Sequence, residues 1–147
     1  LYVGVNTLYI NRIPLTISDT GNILVNGDVY GGTLEPITVN GGLANTIYSA
    51  SSLLTGCKLV IKVEGELDND TVPHTQTCEA TIAAIYNSSV EPVISIYGVV
   101  YTSPSPLATF TVRRGINNTI EVVALNSQAV KSMYVSVHAI KFDSYYA

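Results

Sequence analysis

Cys57-Lys58-Leu59-Val60-Ile61-Lys62-Val63-Glu64-Gly65-Glu66-Leu67 is the stretch that decides the fold. Cys57, Leu59, Ile61, Val63 and Leu67 fall on one face of an extended chain; Lys58, Lys62, Glu64 and Glu66 fall on the other. This two-residue period belongs to a strand with one buried and one wet face, because successive side chains of a strand point to opposite sides. Composition carries the same reading along the whole chain. Its 147 residues include 18 Val, 14 Ile, 15 Thr and 10 Tyr, types whose branched or aromatic side chains pack well on a pleated surface.

Working outward from that strand, the loop Asp68-Asn69-Asp70-Thr71-Val72-Pro73 closes it and Thr75 to Tyr86 returns. Val93 to Thr102, Leu107 to Arg114, Thr119 to Leu125 and Ser132 to Phe142 follow. Between them lie Asn87-Ser88-Ser89, Ser103-Pro104-Ser105-Pro106, Gly115-Ile116-Asn117-Asn118 and Asn126-Ser127-Gln128-Ala129. With a further strand near Ile47, such spacing predicts an antiparallel β-sandwich of jelly-roll type over residues 45–147. The segment Glu79 to Tyr86 has the best helical composition, yet Cys78, Ala80, Ile82 and Ala84 keep the two-residue rhythm, so it too reads as strand. The last strand is apolar on both faces: Tyr134, Ile140 and Phe142 alternate with Met133, Val135, Val137 and Ala139. One of those faces should meet something other than the opposing sheet.

Residues 1–44 have another texture. Leu8-Tyr9-Ile10, Ile13 to Ile17 and Ile23-Leu24-Val25 are short apolar runs cut by Asp19-Thr20-Gly21-Asn22, Asn26-Gly27, Gly31-Gly32 and Asn40-Gly41-Gly42. Asn-Gly favours tight hairpins because both central residues need positive φ. The phrase Ile-x-Val-Asn-Gly occurs at Ile23 to Gly27 and again at Ile37 to Gly41. Hairpins this small cannot bury a core alone. Leu8, Ile10, Ile17 and Leu24 are therefore expected to be covered by another chain, as are Tyr145 and Tyr146 beyond the last strand, with a homo-oligomer, trimer favoured, as the assembly.

Charge and cysteine content exclude several function classes. Charged side chains are 12% of the chain and the net charge is -4. Arg113-Arg114 is the only adjacent basic pair, too short to follow a phosphate backbone, so no nucleic-acid partner is expected. No apolar run is long enough for a membrane helix, and no basic stretch followed by an apolar one is present, so neither a membrane span nor a signal peptide is expected within these residues. Cys57 and Cys78, with only His74 and His138 as further soft ligands, fall short of a zinc site. Buried free thiols are favoured over a cross-strand disulfide.

Glu66, Asp68 and Asp70 are the densest carboxylate group, but the spacing lacks the rest of a calcium loop and reads as a solvated hairpin tip. No phrase such as G-x-S-x-G supports a nucleophile, and the acidic residues are scattered, so neither cofactor nor enzymatic activity is expected. Asn69-Asp70-Thr71, Asn87-Ser88-Ser89 and Asn117-Asn118-Thr119 match the glycosylation sequon by chance in a chain rich in these residues.

Leu8-Tyr9-Ile10 through Ile23-Leu24-Val25-Asn26-Gly27-Asp28-Val29-Tyr30-Gly31-Gly32 resembles the glycine-punctuated phrases of tail-fibre and other virion structural proteins of tailed bacteriophages, especially those of marine bacteria and cyanobacteria. The second region resembles a β-sandwich domain of those proteins through Tyr97 to Ser103, Pro106 to Phe110, Glu121 to Ala124 and Tyr134 to Ile140. The resemblance implies a structural or adsorption protein of the virion, commonly trimeric, without a cofactor. The matched positions are sheet and turn residues, so no catalytic residue carries over. A fibre, tail or baseplate component comes first, a capsid cement or decoration protein next, and a carbohydrate-binding or adhesive module is the alternative of another class.

If no metal is structural, a chelator leaves the melting temperature of the chain unchanged. A fall of many degrees in EDTA would show that Asp68 and Asp70 are ligands after all.

Overall fold

The computed structural model describes residues 7–17, 23–26, 28–31, 37–39, 44–126 and 130–147. It is nearly all β: the described residues form twelve strands, a single 3-10 turn and no α-helix, as the alternating pattern requires. The chain divides into two compact units, Leu1–Glu35 and Pro36–Ala147.

The first unit is an antiparallel meander of β1 (Thr7–Ile10), β2 (Ile13–Ile17), β3 (Ile23–Val25) and β4 (Asp28–Gly31), hydrogen-bonded in that order. Its first hairpin turns on Asn11 and Arg12, whose φ angles of 50° and 66° are both positive, between the paired Ile10 and Ile13. That is the geometry of a type I′ hairpin, here without glycine. Asn26, with φ 51°, adopts the conformation that the Asn-Gly signal predicts, whereas Gly27 and the second Asn-Gly pair, Asn40-Gly41, lie outside the described residues.

The second unit is a sandwich. Strands β5 (Ile37–Val39), β12 (Val130–Asp143), β7 (Leu54–Leu67), β8 (Pro73–Ala83) and β9 (Val93–Tyr101) form a five-stranded antiparallel sheet in that order. Strands β10 (Ala108–Arg114), β11 (Ile120–Asn126) and β6 (Asn45–Ala50) form a three-stranded one. The break in the chain comes before the change of texture at residue 44, because Ile37, Thr38 and Val39 pair with Val135, Tyr134 and Met133 of β12. The two Ile-x-Val-Asn-Gly phrases therefore serve different sheets, one as β3 and one as β5.

The core is built as the alternation dictates. Leu54, Cys57, Leu59, Ile61, Val63 and Leu67 of β7 join Cys78, Ala80 and Ile82 of β8 and Met133 and Val135 of β12. From the facing sheet come Ile47, Phe110, Ile120, Val122 and Ala124. Register shifts where β6 meets β11: Tyr48 pairs with Val122 and Thr46 with Val123, which leaves Ile47 as the extra residue of a bulge. A bulge re-aims a side chain, and Ile47 enters the core beside the partly buried Tyr48.

Two polar clamps join the sheets. Gln76 of β8, only 1% exposed, accepts hydrogen bonds at Oε1 from the N–H groups of Leu107 (2.6 Å) and Ala108 (3.1 Å), and donates from Nε2 to the Ala108 carbonyl (3.1 Å). At the far end of β10 the Arg114 guanidinium donates to the carbonyls of Val90, Asn118 and Ile85, and Glu91 accepts from the Arg114 N–H. Cys57 and Cys78 are buried thiols that are not joined in a disulfide. Their partners across β7 and β8 are Ile82 and Ile61, so the thiols do not face each other. Burial pushes the Cys78 thiol above its ordinary value, against a smaller opposing effect of its hydrogen bond with Gln76.

Gly98 has φ +62° and sits where two residues of β9, Gly98 and Val99, face Cys78 alone. This is a glycine bulge, since a side chain in that conformation is strained. Urea unfolding is expected to separate two effects. Gln76→Met leaves three buried backbone groups unpaired and lowers stability by roughly 2–5 kcal/mol. Gly98→Ala, with open space around the added methyl, costs about 1 kcal/mol from backbone strain alone.

Candidate functional site

The tip of the β7–β8 hairpin carries the densest polar chemistry. Asp70 Oδ1 accepts the Val72 N–H at 2.9 Å, and Oδ2 lies 3.1 Å from His74 Nε2. A carboxylate only accepts, so Nε2 is the donor, and in the neutral ring Nδ1 then accepts from the Thr102 hydroxyl at 3.2 Å. Thr102 Oγ1 also accepts the Thr75 N–H at 3.0 Å, while the Thr102 N–H donates to the Thr75 carbonyl. This carboxylate, imidazole and hydroxyl chain latches the end of β9 to the start of β8. The sequence separation of His74 and Thr102 hid it. Both Asp70 oxygens are engaged by the hairpin itself, and no group of three potential metal ligands forms among the described residues.

The meander exposes a largely aliphatic surface. Cross-strand partners share a face, so the pairs Leu8–Leu15, Ile10–Ile13, Leu15–Val25 and Ile17–Ile23 place seven aliphatic side chains on one side of the meander. Leu8 is 63% and Ile17 60% exposed, and Ile10, Ile13 and Ile23 are exposed as well. The opposite side presents Thr7, Tyr9, Pro14, Thr16 and Leu24, with the Thr7 and Thr16 hydroxyls 3.3 Å apart. Leu8, Ile10 and Ile17 are thus brought together, whereas Leu24 lies on the other side, because it pairs with Thr16. Tyr145 and Tyr146 are exposed beyond β12.

The outer face of the five-stranded sheet mixes charge with hydrocarbon. Lys58 pairs with Glu79 at 3.6 Å and Lys62 with Glu64 at 2.7 Å. Exposed pairs of this kind contribute little to stability. Around them Val60, Tyr97, Tyr134 and Ile140 are exposed, and Phe142, 62% exposed, lies over its cross-strand partner Gly56. The second apolar face of β12 is therefore uncovered in the single chain. Tyr97 on β9 and Tyr134 on β12 are separated by β8 and β7, so they do not share one stacking platform. Arg113 and Arg114 are spent internally, Arg113 on Glu121 at 2.9 Å and Arg114 on the clamp described above.

No family model matches the chain, and no curated protein matches it. Among solved structures it has weak similarity to the tailspike protein of Acinetobacter phage vB_ApiP_P1, with 17% identity and a TM-score of 0.35 over 74% of this chain and 21% of that one. The tailspike protein of Acinetobacter baumannii phage AM24 gives 7% identity and a TM-score of 0.35 over 76% of this chain and 27% of that one. The chain spans about a quarter of the length of these proteins.

The latch generates a pH dependence. The Val72 N–H, and after it His74, holds the Asp70 carboxyl below its ordinary value of 3.8. A carboxylate lowered on folding stabilises above its unfolded value, and that contribution disappears as pH falls through the folded one. Asp70→Asn is expected to flatten the fall of melting temperature below pH 3.8. An identical acid limb in both proteins would contradict it.

Proposed function

We propose that this chain is a non-enzymatic structural component of a tailed-phage virion, a tail fibre or a tail or baseplate-associated part, that acts by burying surface between copies of itself. One observation carries the reading: the meander turns Leu8, Ile10, Ile13, Leu15, Ile17, Ile23 and Val25 to one side, and most of them are exposed. An exposed cluster of aliphatic side chains, bordered on β4 by Asp28 opposite Val25, is costly in water and marks an interaction surface. Covering it between subunits adds to the folding free energy of each copy. The phage-like phrases lie on the same strands, Leu8-Tyr9-Ile10 on β1 and Ile23-Leu24-Val25 on β3. A three-fold arrangement suits such a face, because three copies can turn it towards a common axis.

Capsid cement is the nearer alternative, since the same surface would serve it. The adhesion reading draws less support, because Tyr97 and Tyr134 stand on strands separated by two others.

The test is the mass of the native assembly in solution for the full chain carrying Ile10→Glu and Ile17→Glu together. The expected result is an assembly of lower mass with an unchanged circular dichroism spectrum in the β region. An oligomer of the original mass and stability would refute the assembly role of this face.

A further inference from the structure

We infer that the outer edge of β9 is a second, two-fold self-contact, in which Val93–Tyr97 of one copy pairs antiparallel with Val93–Tyr97 of another, Ser95 opposite Ser95. The argument starts from sheet edges. A strand at an edge presents unpaired N–H and C=O groups, and proteins blunt such edges with charge, proline, bulges or short length. In the second unit β5 has three residues, β6 carries Asn45, Thr46 and Ser49, and β10 ends in Arg113-Arg114. β9 has nine residues, Val-Ile-Ser-Ile-Tyr-Gly-Val-Val-Tyr, with no charge and no proline, and pairs only with β8 among the described strands.

The segment selects its own copy as partner. Pro92, which has no N–H, stops it on one side, and the Gly98 bulge kinks it on the other. Both interruptions lie equally far from Ser95, so a dyad midway between the two Ser95 residues and normal to the sheet maps the flat segment of one copy onto that of the other. Such a dyad keeps the two faces distinct. On the outer face, where Val93, Ser95 and Tyr97 stand opposite Ala83, Thr81 and Glu79 of β8, it sets Tyr97 against Val93 of the second copy. On the core side it sets Ile94 against Ile96. Aromatic with β-branched and β-branched with β-branched are favourable cross-strand pairs. Val93, 70% exposed, gains the cover it lacks, while main-chain hydrogen bonds between the copies supply the affinity, as in strand addition generally. The Arg114 clamp on Val90 and Glu91 fixes the chain just ahead of the segment, so little order has to be gained on pairing. This contact is independent of the meander face and of what the assembly is for.

The experiment uses the full chain with Ser95→Lys, Ser95→Asp and their equimolar mixture, read by native mass. Ser95 is exposed, so the fold tolerates either charge. Across the dyad, however, two lysines or two aspartates would stand at a Cβ separation of about 4.5–5.5 Å and repel. Each variant alone is expected to show half the mass of the parent assembly, and the mixture to restore it, because lysine then faces aspartate. Ser95→Cys is expected to cross-link copies under oxidising conditions, a readout that survives if a charged variant folds poorly, since Cys57 and Cys78 are buried. Parent mass retained by Ser95→Lys overturns the inference, and so does a mixture that restores nothing or a Ser95→Cys chain that stays uncross-linked. In those cases the edge takes a strand of another protein or none. The Ile10→Glu and Ile17→Glu chain should still respond to the charge at 95, which separates this contact from the one on the meander.

Discussion

The sandwich depends on one buried side chain, Gln76. Two sheets packed face to face are held by apolar contact, which is non-directional and would permit many relative placements. Gln76 removes that freedom. Its amide reads the backbone of Leu107 and Ala108 as a strand neighbour would, accepting two N–H groups and donating to one carbonyl. All three groups lie at the entry to β10, whose other edge pairs with β11 and which has no second strand neighbour among the described residues. Inside a dry core such a network is favourable only when every member is satisfied, and here the glutamine amide is matched on both its ends.

Arg114 does the equivalent work at the other end of β10, tying the loop between β8 and β9 to the turn at Ile116–Asn118. That turn has Asn117 and Asn118 at positive φ, and Gly115 is required beside it because a Cβ there would come within 2.7 Å of Thr119 Oγ1. With β10 clamped at both ends, β8 and β9 are fixed against it, and the latch of Asp70, His74 and Thr102 adds a third tie at the hairpin tip. The scarcity of charge is compatible with this design. Much of the ionic chemistry the chain has goes into internal fastening or into pairs on the outer sheet face.

What the fold leaves outside is unusual for an isolated domain. The meander shows an aliphatic face, β12 shows Tyr134, Ile140 and Phe142, and β9 shows an uncharged edge. These surfaces are spread over separate elements of the fold.

The sequence by itself determined the strands. Alternation in Cys57 to Leu67 assigned the core face of β7 residue by residue, and the Asn-, Pro- and Gly-rich breaks located the other long strands, because period and turn chemistry are local properties of the chain. It also singled out Leu8, Ile10 and Ile17, which the strand pairing places on one side of the meander. Only the tertiary structure decided pairing and register. It put Leu24 on the opposite side of the meander, sent Ile37–Val39 to β12, and closed a hairpin on Asn11-Arg12, where no glycine announces the turn. The clamps were illegible for the same reason. Gln76 and Leu107, or His74 and Thr102, lie about 30 residues apart, and nothing local to either marks its partner, since a hydrogen bond between distant segments exists only once the core has brought them together.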